Sequence, residues 1–183
     1  GYYYLYIEAI DKAGNTSTTT DYIYIHDFDA PIITSTQDHY EFEVNESTFK
    51  SEDVFSNLTI TDNVTSYNNM TKEITDTYNS QYNIVGEYSI TYTVSDYYSN
   101  TTTKVITINI KDTTAPTISL KDGGNVIYTN HDLSQKEIYD LLEINDNYDD
   151  ITYEDVSITS TSDGLEGVEY QVTVSVTDSN NNK

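Results

Sequence analysis

The sequence predicts an all-β protein made of small sandwich modules in series. Two observations carry this. Blocks of sequence recur 85 residues apart: Asp29-Ala30-Pro31-Ile32 returns as Ala115-Pro116-Thr117-Ile118, and Gly86–Asp96 echoes Gly1–Asp11. A third copy of the second block, Tyr170–Asp178, ends 82 residues after Asp96. A period this long, filled with alternating strands, signals whole β-domains in a row. Within the blocks, apolar and polar residues alternate with period two. Tyr88, Ile90, Tyr92 and Val94 interleave with Glu87, Ser89, Thr91 and Thr93, and Val168, Tyr170, Val172, Val174 and Val176 do the same over 168–176. Each run reads as a half-buried antiparallel strand.

The remaining elements follow in order. Each alternating run ends in a polar turn opened by Asp11, Asp96 or Asp178, because Asp bonds its own backbone there and Gly or Asn accepts positive φ. A return strand follows in two copies, Tyr22–Ile25 and Val105–Ile110. After each Ala-Pro come two short strands, Ile32–Ser35 with Tyr40–Val44 and Thr117–Leu120 with Asn125–Tyr128. A helical turn is expected at Ser51–Ser56 and Ser134–Leu141. Strands ending in Asp-Asn follow at Leu58–Asn63 and Leu142–Asn147, then more strand near 72–78 and 152–159. That makes about seven strands per module, the number in a constant-type immunoglobulin sandwich.

Composition narrows the function. The 183 residues carry a net charge of −23, which repels phosphate backbones and anionic lipids, so neither nucleic-acid binding nor direct membrane contact is expected. Cysteine is absent, which excludes disulfides and thiolate metal sites and is unusual for a secreted animal module. His26, His39 and His131 are widely spaced, and no nucleophile, phosphate-binding or dinucleotide motif appears, so the chain is not expected to be an enzyme.

Asp-x-x-Ala-Pro at the module start, Asp-Asn after the second long strand, and Gly-x-Tyr-x-Ile-x-Tyr-x-Val-x-Asp before the final turn together resemble the tandem bacterial immunoglobulin-like domains of cell-surface proteins; hyalin-type repeats are also similar. The resemblance covers nearly the whole chain. The third copy departs from it, since Gly167 stands one place further from Asp178 than Gly86 from Asp96, an offset a bulge would absorb. On this frame, residues 1–28 are the C-terminal hairpin of a preceding module, 29–113 a complete module, and 114–183 a module lacking its last strand. The resemblance implies extracellular display at a bacterial cell wall.

Three site expectations follow. In such a sandwich the chain enters at the end that also holds the Asp-Asn loop and the final turn. This gathers Asp27, Asp29, Asp62, Asn63 and Asp96 at one junction, and Asp112, Asp146, Asn147, Asp149, Asp150 and Asp178 at the next. Calcium takes six to eight such oxygen ligands, so it is the cofactor to expect, against the plainer role of Asp and Asn in turns. Second, Tyr3, Leu5, Ile7, Ala9, Ile23 and Ile25 should face inward, leaving Tyr2, Tyr4, Tyr6, Tyr22 and Tyr24 on one solvent face. Such a face could stabilise the hairpin, stack on a glycan or meet a protein. Third, Asn-x-Ser/Thr sequons occur at Asn15, Asn45, Asn57, Asn63, Asn69 and Asn100. The expected function is a stalk, adhesin spacer or surface-layer filament, with neighbouring modules and other copies as partners. The alternatives are a glycan- or protein-binding module, or an accessory segment of a secreted hydrolase or phage structural protein.

Overall fold

The computed structural model describes residues 1–46, 49–78, 81–162 and 167–183. Strand outweighs helix, 42% to 10%, so the all-β class holds. The described elements are β1 (Tyr2–Ile10), β2 (Thr16–Tyr24), β3 (Ile32–Thr34), β4 (His39–Glu43), α1 (Ser51–Phe55), β5 (Thr59–Thr61), β6 (Thr71–Asp76), β7 (Gly86–Ser95), β8 (Thr101–Lys111), β9 (Thr117–Leu120), α2 (Gln135–Asp140), β10 (Leu142–Asn145), β11 (Val156–Ser160) and β12 (Val172–Val176). They form the two-stranded sheets β1–β2, β3–β5, β9–β10 and β11–β12, and one four-stranded sheet in the order β4–β8–β7–β6. Among the described residues, no helix is long and apolar enough to cross a membrane. The chain forms two compact units: Gly1–Asp38, Ser51–Asp76 and Ile90–Ile106; and His39–Lys50, Thr77–Ser89 and Thr107–Lys183.

In the first unit, period-two alternation does what it predicts. Ile90, Tyr92, Val94 and Ile106 are fully buried, and Ile60, Met70 and Val94 form a cluster completed by Ile33, Phe55 and Leu58. Each such aliphatic side chain contributes roughly 1.5–3 kcal/mol by leaving water. Tyr92 carries a hydroxyl into this core and satisfies it by donating to the Ser51 carbonyl at 2.5 Å. The β1–β2 hairpin pairs Tyr2 with Tyr24 and Tyr4 with Tyr22, but all of its residues are exposed. The expected inward set is therefore not buried: Tyr3, Leu5, Ile7, Ile23 and Ile25 stay between 42% and 60% exposed. Alternation fixes which residues share a face; burial also needs a second layer against that face.

In the second unit, Ile108, Ile110, Val44 and Tyr78 are fully buried. β4 runs parallel to β8, from His39 opposite Thr107 to Glu43 opposite Lys111. Helix α2 starts on a capping box, Ser134 with Glu137, and Gln135 Nε2 donates to the Ile158 carbonyl at 2.9 Å. Two strand expectations shrink here. Residues 125–128 form no ladder, and Tyr128 is 93% exposed. Their counterpart β4 is held in register by β8. The 168–176 run is strand only over Val172–Val176, the stretch that Val156–Ser160 pairs. A 3-10 turn, Tyr153–Asp155, replaces the start of the strand expected near 152–159. Gly167 adopts φ +76°, the conformation that opens a glycine bulge; the residues just before it lie outside those described.

Candidate metal centre

Three aspartate turns are near-copies of one another, and two of them, at Asp96 and Asp178, enter the candidate sites. Asp11, Asp96 and Asp178 each accept the backbone N–H groups two and four residues on, and the side-chain amide of the residue four on: Asn15, Asn100 and Asn182. The residue between adopts positive φ in every case: Gly14, Ser99 and Asn181. These bonds have the expected electrostatic effect. Asp11 lies below the usual carboxylate range because of the Asn15 side chain. Burial pushes Asp96 up, yet the bonds from Asn100 and Tyr98 outweigh it and hold its carboxyl low.

The second and third turns reach the segment that leads into the next strand pair. Asn100 Nδ2 also donates to the Asp27 carbonyl at 3.0 Å, and Asn182 Nδ2 to the Asp112 carbonyl at 3.2 Å. This brings Asp27 to Asp96 and Asp112 to Asp178. The Asp-Asn loops complete both groups. Asp62 Oδ1 accepts from the Val64 and Thr65 N–H groups, and Asp146 Oδ1 from those of Tyr148 and Asp149. The outcome is two groups of carboxylates whose oxygens lie within 4.8 Å of one another: Asp27, Asp62 and Asp96; and Asp112, Asp146, Asp149 and Asp178.

The two groups differ in detail. In the first, Asp27 Oδ1 accepts from the Asp29 N–H at 3.1 Å. The second oxygens of Asp27 and Asp62 are buried with no hydrogen-bond partner among the described residues. In the second, burial raises the Asp112 carboxyl and the nearby Asp146 and Asp178 add to this, against bonds from Thr114 and Asn180. Asp149 spends both oxygens on Ser179, at 2.8–3.0 Å. Asp146 Oδ2 and Asn147 Oδ1 are buried without a partner among the described residues. Oxygen-only donor sets of this kind suit a hard divalent cation.

Two expected carboxylates, Asp29 and Asp150, lie outside these groups. Asp29 is exposed and accepts from Asn63 Nδ2 at 2.7 Å, and Asp150 is exposed. The Asn147 amide nitrogen donates to Glu43 at 3.0 Å. Glu43 escaped sequence reasoning altogether. Besides Asn147, it accepts from the Thr113 N–H and from the hydroxyls of Thr113 and Thr114. Burial opposes its ionisation, but these donors prevail and its pKa falls from 4.5 to about 2. Nothing local marks Glu43; the parallel β4–β8 register puts it there. The tie of Asn100 and Asn182 to the linker carbonyls is likewise absent from the sequence expectations. The recurrence of Asn four places after each turn Asp is the signal that could have revealed it.

The tyrosine face lies where the pairing places it. The rings of Tyr2 and Tyr24 are 4.7 Å apart and those of Tyr4 and Tyr22 5.0 Å; Tyr6 faces Thr20. All five tyrosines are at least half exposed. The histidines stay apart: His39 lies 3.4 Å from Glu41, His131 lies 3.3 Å from Glu137, and His26 packs on Tyr24, Phe28 and Tyr98. Sequon amides at Asn15, Asn45, Asn57, Asn63 and Asn100 each donate a hydrogen bond in the fold; Asn100 uses both amide hydrogens, toward the Asp27 carbonyl and Asp96, so a glycan there would break one. No protein-family model matches the chain, and no curated protein matches it significantly.

Proposed function

We propose that the chain is a non-catalytic run of tandem immunoglobulin-like sandwich modules, with 1–28 the closing hairpin of one, 29–113 a complete one and 114–183 one lacking its last strand, that spaces or displays other parts of an extracellular bacterial surface protein. One observation carries the reading: the ladders repeat with their registers. Ile33 faces Ile60 and Ile118 faces Ile144; Ile74 faces Tyr92 and Ile158 faces Val174. Among the described residues, every ladder closes inside one of the three segments. The similarity of the motifs to bacterial immunoglobulin-like repeats supports the surface location. Pulling a single chain between handles tests it. Module 29–113 should give its own rupture, with a length gain of roughly 250 Å, from ~3.3–3.6 Å per residue less the folded span. One rupture releasing the whole chain together sinks the proposal.

A second reading has its own observation, the exposed cross-strand tyrosines. On this reading they stack on a glycan or a protein surface. Replacing Tyr4 and Tyr22 by Ala should then abolish retention on cell-wall glycan or on a partner surface; unchanged retention rejects it.

A further inference from the structure

We infer that Asp27, Asp62 and Asp96 form a calcium-binding site. Acidic residues close together on a chain of net charge −23 are not in themselves a site. What sets this group apart is Asp27. It is only 6% exposed, its Oδ1 is spent on the Asp29 N–H, and its Oδ2 is buried with no hydrogen-bond partner among the described residues. A buried carboxylate oxygen without a donor is costly unless something positive meets it. Asp62 Oδ2 is in the same condition. Among the described residues, no lysine or histidine forms an ion pair with any of the three. Three like charges within 4.8 Å therefore lack a countercharge from the protein.

The local turns prepare the site. The Oδ1 atoms of Asp27, Asp62 and Asp96 are bound by nearby N–H groups, which fixes each carboxylate and leaves Oδ2 of Asp27 and Asp62 for an ion. The arrangement recurs: Asp112, Asp146 and Asp178, which lie 85, 84 and 82 residues on, converge again, although Phe28 and Asp29 have become Thr113 and Thr114. Carboxylates in loops, with no nitrogen or sulfur donor, favour Ca²⁺ over zinc, and Mg²⁺, which holds its water and demands near-ideal octahedral ligation, is the weaker fit to a site made of loop carboxylates. The inference rests on this geometry, independently of the spacer reading.

The test is equilibrium dialysis of the chelator-stripped, folded 183-residue chain against radioactive Ca²⁺. Binding is expected with a Kd on the order of 10⁻⁴–10⁻³ M, the range of weak calcium modules. Asp27→Asn should lower the number of bound ions by one, while Asp29→Asn, outside the group, should leave the number unchanged. If circular dichroism shows Asp27→Asn unfolded, Asp62→Asn should give the same loss. Magnesium at equal concentration should displace little of the bound calcium. No calcium bound by the wild-type chain, an ion count unchanged in the folded group variants, or equal displacement by magnesium would each overturn the assignment.

Discussion

Replacing Glu43 by Gln removes a charge while keeping shape, and the cost can be worked from its surroundings. The carboxylate accepts from the Thr113 N–H at 3.0 Å, the Thr113 and Thr114 hydroxyls at 2.7 and 2.8 Å, and Asn147 Nδ2 at 3.0 Å. Burial alone would raise its pKa; these bonds lower it from 4.5 to about 2. That fall is worth at most ~3.4 kcal/mol, at ~1.36 kcal/mol per pH unit. Part of the side chain meets water, which reduces the figure to about 1–2 kcal/mol. A group whose pKa is depressed by folding stabilises fully above its unfolded value and loses that contribution as pH falls through its folded value. Glu43→Gln should therefore cost about 1–2 kcal/mol at pH 7, or roughly 2–8 °C in Tm. The gap to wild type should narrow between pH 4.5 and about 2. Calorimetry of both proteins across that range is the assay. A gap that is absent at pH 7, or that stays constant on acidification, would refute the reasoning.

Other outcomes follow from single bonds. Asn100→Ala removes the ties to Asp96 and to the Asp27 carbonyl and should cost about 1–3 kcal/mol in urea denaturation; Asn182→Ala should behave alike at Asp178 and Asp112. Tyr92→Phe strips the donor from the Ser51 carbonyl and should cost about 1–2 kcal/mol, seen as a lower denaturation midpoint with an unchanged slope. Ser99→Gly relieves a side chain at φ 71° and should raise stability by a few tenths of a kcal/mol to about 1 kcal/mol; a loss of stability would show that the serine is held there by something other than the turn.

Local patterns proved legible, and partner choice did not. Strand β7 could be read because five or six residues of alternation specify its buried face, and Ile90, Tyr92 and Val94 take it. The carboxylate groups could be read in outline because Asp27, Asp62 and Asp96 stand at fixed places in a repeated register. The parallel pairing of β4 with β8 could not, since it joins residues 68 positions apart and nothing in His39–Glu43 encodes direction. Glu43, with its bonds to Thr113, Thr114 and Asn147, followed from that pairing and stayed hidden with it. Residues 125–128 stand 85 places after Tyr40–Glu43 in the repeat, yet they form no ladder among the described residues, because a repeat position does not by itself supply a pairing partner. The hairpin 1–28 shows the same lesson, with its apolar face correctly grouped and left in solvent.

The parallel register of β4 and β8 has a mechanical consequence. β4 lies near the start of 29–113 and β8 at its end. Tension applied across that stretch draws the two strands past each other along their length. The pairs from His39–Thr107 to Glu43–Lys111 then bear load side by side, and Val44 N–H to the Lys111 carbonyl at 2.7 Å extends the row. Bonds arranged this way must yield together rather than open one after another like a zipper. A short strand of only a few residues thus becomes a shear clamp.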